Sequence, residues 1–131
     1  MNTEIIHECL NASFADTPFS VVAQKLAGAG VVSYNTDLIT LRKTYYGADI
    51  ESVDEKLPLT NAPAIAARFD CDTVQGAVKA IQRKEIGYAE FLRRIMKAGC
   101  SSYRVFFNGR KAMYFGRDGE FYTEPFPPAA K

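Results

Sequence analysis

The chain has 131 residues, with 16 Lys and Arg against 15 Asp and Glu for a net charge of +1, 47% apolar residues and 24% charged ones. That is the profile of a globular protein with one shared core, too short for two independent cores and too apolar to be disordered. The near-neutral balance argues against a protein whose affinity rests on neutralising phosphates, so nucleic acid is not an expected partner. No run approaches the apolar length that crosses a membrane, and Met1-Asn2-Thr3-Glu4 lacks the basic start and apolar run of a secretory signal. The expected location is the cytoplasm. Cys9, Cys71 and Cys100 are odd in number and widely spaced, which favours reduced thiols over a disulfide framework.

Taken in order, residues 3–13 predict a helix, because Ile5, Ile6, Cys9 and Leu10 recur at helical spacing. Thr17-Pro18 offers an N-cap and a first-turn proline for the next, whose buried stripe is Phe19, Val22, Ala23 and Leu26 and whose stop is Gly28 or Gly30. Val31–Tyr34 and Leu38–Tyr46 read as strands, with a turn expected near Asn35-Thr36-Asp37. The acidic, polar stretch 52–60 reads as a linker, and Asn61-Ala62-Pro63 as the start of a short helix. Asp72 with Gln75 resembles a capping box before the stripe Val74, Ala77, Val78 and Ile81. Residues 87–98 form the last helix, with Phe91, Leu92, Ile95 and Met96 inward and Gly99 as its stop. Asn108-Gly109 and Asp118-Gly119 then separate three aromatic, β-branched runs, the signal for a three-stranded meander with primed turns.

Shifting the chain by 69 residues aligns Ala29-Gly30-x-x-Ser33-Tyr34 with Ala98-Gly99-x-x-Ser102-Tyr103, and Tyr45-Tyr46-Gly47-x-Asp49-x-Glu51 with Tyr114-Phe115-Gly116-x-Asp118-x-Glu120. The expected fold is α+β: an internal duplication of a helix-helix-hairpin unit, with an antiparallel sheet covered by helices. The repeats span about residues 3–51 and 72–124 of a single domain, and a Pro-rich tail, 125–131, follows. The early turn expected in the first half puts the two hairpins in different registers.

Few residues point to chemistry. His7-Glu8-Cys9 is poorly spaced for a nucleophile and base, since residues two apart on a helix face different ways. The carboxylates of Asp70 and Asp72 would suppress rather than promote a Cys71 thiolate. The glycines at 28 and 30 end a helix instead of preceding one, the reverse of a phosphate loop. No residue set calls for a cofactor or a metal. What remains is a tyrosine and acid constellation, Tyr34, Tyr45, Tyr103, Tyr114, Asp118 and Glu120, which makes sheet structure or, if the repeats bring it to a shared cleft, a small-ligand site. Arg104, Arg110, Lys111 and Arg117 form a basic cluster that reads as a solvated strand face and edge protection before it reads as a contact for nucleic acid.

The run Tyr88-x-x-Phe91-Leu92-Arg93-Arg94-Ile95-Met96-x-Ala98-Gly99, then Tyr114-Phe115-Gly116-Arg117-Asp118-Gly119-Glu120 and Glu124-Pro125-Phe126-Pro127, resembles the YdfO-like family of bacterial domains of unknown function, some of which carry the label phage envelope protein. Gly87 departs from the acidic residue expected before the tyrosine of the last helix, which weakens that cap. The resemblance implies a small cytoplasmic α+β protein from a bacterium, associated with prophages, and brings no activity, cofactor or catalytic residue. The expectation is therefore a non-enzymatic binding or protein-interaction module, with a protein partner, a small ligand or a second copy of the chain as its occupant. The alternative is a small-molecule-binding domain using the tyrosine and carboxylate cleft between the repeats.

Overall fold

The computed structural model describes residues 1–127. Helices α1 (Thr3–Phe14) and α2 (Phe19–Gly28) are followed by strands β1 (Ser33–Asp37), β2 (Arg42–Tyr46) and β3 (Ser52–Lys56). The same order then recurs as α3 (Cys71–Gln82), α4 (Tyr88–Lys97), β4 (Cys100–Phe106), β5 (Lys111–Gly116) and β6 (Phe121–Pro125). The six strands form one antiparallel sheet in the order β3-β2-β1-β4-β5-β6, joined at its centre by the first strand of each half.

Every second strand residue faces the helices. Tyr34 and Thr36, Lys43 and Tyr45, Tyr103 and Val105, and Ala112 and Tyr114 are all buried, and the helices close over them with Ile6, Leu10, Val22, Leu26, Val74, Val78, Phe91, Leu92, Ile95 and Met96. Burying a leucine or isoleucine as fully as Leu92 or Ile95 contributes roughly 1.5–3 kcal/mol each. Among the described residues, no helix covers the opposite face of the sheet.

The two halves keep a common spacing. The bounds of α2 and α4, β2 and the start of β5, and β3 and β6 lie 69 residues apart, while α1 and α3 lie 68 apart because the second interhelical loop is one residue longer. Local geometry follows the same spacing. Asn2 and Asp70 each cap their helix by accepting from the backbone N–H three residues on, and each donates its own N–H to the residue before a left-handed glycine, Ala29 or Ala98. Those glycines, Gly30 at φ +93° and Gly99 at φ +90°, turn each helix into its first strand, a conformation that L side chains resist.

Several expectations from sequence are corrected. Ser52–Lys56 is an edge strand, not a linker; Val53 and Glu55 turn inward while Ser52, Asp54 and Lys56 are exposed, and that charge protects the edge. The connection between the halves is residues 57–70, and it is irregular where a short helix was expected from Asn61. The first hairpin turns at 38–41, not at Asn35-Thr36-Asp37, because the Asp37 carboxylate accepts from the N–H groups of Ile39 and Thr40 and so closes an apolar turn from outside it. Both first hairpins therefore have four-residue loops, with Leu41 (φ 56°) and Arg110 (φ 53°) left-handed at matching positions, and their registers agree. The Asn108-Gly109 loop is thus not a primed two-residue turn. Neither is the next, where the Gly119 N–H closes on the Gly116 carbonyl and Gly119 is left-handed. Two caps move as well: Pro18 takes the N-cap position of α2, and Asp70 rather than Asp72 caps α3. Of the tail, Phe126 packs edge-on against Phe19 at 5.4 Å, and the residues beyond 127 lie outside those described.

Candidate functional site

The four tyrosines singled out in the sequence come together. Tyr34 and Tyr45 are register partners on β1 and β2, Tyr103 and Tyr114 on β4 and β5, and all four lie under the helices. Their rings form a continuous array: Tyr34 to Tyr45 at 5.7 Å, Tyr34 to Tyr103 at 6.3 Å and Tyr103 to Tyr114 at 5.2 Å between centroids. Phe91 of α4 meets Tyr103 and Tyr114 edge-on. Asp118 and Glu120 do not join them. They occupy the exposed β5–β6 turn, where the Asp118 N–H donates to Glu120 Oε1 at 3.1 Å.

The array encloses a residue that the sequence reading missed. Lys43 is 3% exposed, and its Nζ lies 4.4 Å from the centroid of the Tyr34 ring, 5.0 Å from Tyr88 and 5.9 Å from Tyr45. It donates to the Tyr88 hydroxyl at 3.1 Å, and that hydroxyl shares a short hydrogen bond with Tyr103. Burial pulls the ammonium down to about 7, partly opposed by the carboxylate of Glu55, its register partner on β3. Burial likewise holds the hydroxyls of Tyr34, Tyr88 and Tyr114 well above the ordinary tyrosine range and pushes Tyr103 up to about 12. Alternation backward from Tyr45 would have placed Lys43 inside; the linker reading of β3 concealed Glu55. Tyr88 stood in the sequence only as the first residue of the last helix's run, with nothing to mark its hydroxyl.

In the second half the acid has a different cation. Glu124 is buried and accepts from Lys79 Nζ and Gln82 Nε2, each at 3.1 Å, and from the Tyr122 hydroxyl. Burial alone would raise its pKa, but those hydrogen bonds outweigh it and the carboxyl lies below its ordinary value. Glu55, at the matching position, faces His7 Nδ1 at 3.6 Å. His7, Glu55, Leu10, Asn11, Lys56 and Pro58 line an open depression of about 380 Å³, and a second of about 220 Å³ lies among Leu38, Leu41, Pro63, Ile65 and Arg117. The tyrosines line neither.

The uncovered face of the sheet has a different chemistry in each half. Across β3, β2 and β1 it presents Asp54, Arg42, Thr44, Lys56 and Asp37, and Arg42 and Thr44 both engage the Asp54 carboxylate, at 3.1 and 3.0 Å. Across β4, β5 and β6 it presents Phe106, Met113, Phe115 and Phe121 beside Arg104 and Lys111. Phe121 is 58% exposed. The Arg104 guanidinium lies 4.8 Å from the Tyr46 ring and 5.4 Å from Phe106, reaches Ser33 Oγ at 3.5 Å, and has a buried Nε with no partner. Among the described residues neither Arg104 nor Lys111 forms an ion pair. Arg110 and Arg117 point elsewhere, Arg110 onto the Phe126 ring and Arg117 to the smaller depression.

No family model matches the chain, and no curated protein matches it. Among the described residues, no helix is long and apolar enough to cross a membrane.

Proposed function

We infer that the protein is a binding module that holds an anionic partner on the uncovered face of β4, β5 and β6, with the tyrosine array as its scaffold. One observation carries this reading: four large apolar side chains share that face with two cations that have no carboxylate partner among the described residues, whereas the other half of the same face is polar and holds its Asp54 carboxylate between Arg42 and Thr44. An antiparallel sheet that merely faces water needs no such surface. The most strongly perturbed groups, Lys43 and the tyrosines around it, lie sealed beneath the helices, which favours a non-enzymatic role. A small-ligand cleft built from the tyrosines with Asp118 and Glu120 has less support, since the turn carboxylates lie apart from the buried hydroxyls.

The same reading takes the two halves as copies of one unit of two helices and three strands, supported by the matching order of their elements and by caps and left-handed residues at corresponding positions. It also takes the YdfO-like resemblance as its guide to a bacterial, prophage-associated, cytoplasmic setting. Titration of ¹⁵N-labelled protein with a short single-stranded oligonucleotide and with an acidic, phenylalanine-containing peptide tests the surface. Amide shifts clustered on β4–β6 for at least one probe are expected. Shifts confined to the helices or to the His7–Glu55 depression, or none with either probe at millimolar concentration, would overturn the reading.

A further inference from the structure

We propose that the occupant of the uncovered β4–β6 face is single-stranded nucleic acid, an inference that rests on the reading of that face as the binding surface. Phe115 and Phe121 are register neighbours, and Phe106 lies one strand over towards the other end, so rings are spread along and across the strands instead of being stacked on one another. Bases splayed from a single strand stack on such rings whatever their sequence. Lys111 stands exposed at one end of this track, and Arg104 stands beside its middle, its guanidinium held against the Tyr46 and Phe106 rings with no carboxylate opposite it among the described residues. From Lys111 to Phe115 the track is about 14 Å long at about 3.4 Å per residue, room for two to three nucleotides.

The alternatives fit less well. A second copy packed with β4–β6 on β4–β6 would set Arg104 and Lys111 against like charges, which is unfavourable. A duplex keeps its bases stacked on one another and offers the rings nothing to hold. The near-neutral total charge, which weighs against nucleic acid at the level of composition, conceals that the strand carboxylates of this face are on β1–β3, where Asp54 pairs with Arg42 and Asp37 accepts from the Ile39 and Thr40 N–H groups.

Fluorescence anisotropy with labelled ten-nucleotide oligothymidylate and oligouridylate tests the proposal. Two phosphate contacts predict a log-log salt slope of about −1.4, a loss of about sevenfold in affinity between 50 and 200 mM salt. Phe121→Ala, at an exposed ring, is expected to weaken binding roughly tenfold, and Lys111→Ala to halve the slope, both with wild-type thermal midpoints. Lys56→Ala, on the other half of the same face, should change neither. Absent binding, binding that Phe121→Ala leaves intact, or equal losses from Lys56→Ala would overturn the proposal. If the acidic peptide shifts the β4–β6 amides while the oligonucleotides do not bind, the surface stands and its nucleic-acid occupant falls.

Discussion

Asn35 and Arg104 are register partners across the β1–β4 seam, and they are also each other's counterparts in the two halves, 69 residues apart. A local twofold axis therefore passes through this pair. The hydrogen bonds on either side obey it: the Leu38 N–H donates to the Ser101 carbonyl at 2.9 Å, and the Phe107 N–H donates to the Val32 carbonyl at 3.2 Å. The axis relates backbones but not side chains. Asparagine on one side and a guanidinium on the other mark the asymmetry of the uncovered face, polar to one flank and rich in rings to the other.

The symmetry is also broken at the start of α4. Gly87 offers no capping side chain, and the missing acceptor comes from Asp16, whose Oδ1 receives the Tyr88 N–H at 3.1 Å from the loop between α1 and α2. A Cβ on Gly87 would stand 2.4 Å from that same oxygen. Asp16→Ala should cost about 0.5–2 kcal/mol, the usual worth of an N-cap. Gly87→Ala should also destabilise, though its backbone angles suit alanine. In the Asp16→Ala background the Gly87→Ala cost should shrink or reverse, and urea unfolding of the four-variant cycle measures that coupling.

Lys43 is a cost that the core carries. With its folded pKa depressed to about 7 from 10.5, the unfolded chain binds more protons between those values, so the penalty of burial is full below pH 7 and is relieved as pH rises. Lys43→Met keeps the volume and should stabilise the fold at pH 6 by about 1–4 kcal/mol. The gain should diminish from pH 7 towards 9.5, before tyrosine ionisation intervenes. Denaturant midpoints of both proteins across that range check the sign; a constant difference would mean that the ammonium is not the source.

Glu124 acts at the other end of the pH scale. Its depressed pKa contributes stability that is present above the unfolded value of 4.5 and is lost as pH falls through the folded one. Glu124→Gln should lower stability at neutral pH and flatten the acid limb of the stability profile. Thermal midpoints of both proteins between pH 3 and 7 check this; an unchanged acid limb would mean that the Glu124 carboxylate is not its source.

Much of the architecture was legible where periodicity was strong. The stripes of α1, α2, α3 and α4 and the strands of the second half follow from apolar spacing, and the α+β class follows from their order. β3 was not legible because an edge strand protects itself with charge, and Ser-Val-Asp-Glu-Lys reads as a linker by composition. The turn at 38–41 was hidden for the opposite reason, since Leu38, Ile39 and Leu41 look like strand. Residue type located the tyrosine array, but not its enclosure, because four tyrosines can stand on either face of a strand pair. Lys43 was invisible to any rule that puts lysine outside. The contrast between the two halves of the uncovered face depends on strand order, which single elements do not encode.

The order β3-β2-β1-β4-β5-β6 also has a kinetic consequence. Among the described strands, four of the five ladders are hairpins between neighbours in sequence, and only the β1–β4 ladder joins distant segments. The hairpins close short loops quickly, while the central ladder must wait for both halves to find each other across a long intervening chain. The slowest step in folding therefore falls at the middle of the sheet. Substitutions at the seam that destabilise the protein should retard refolding, while equally destabilising ones at the β3 or β6 edge should chiefly hasten unfolding.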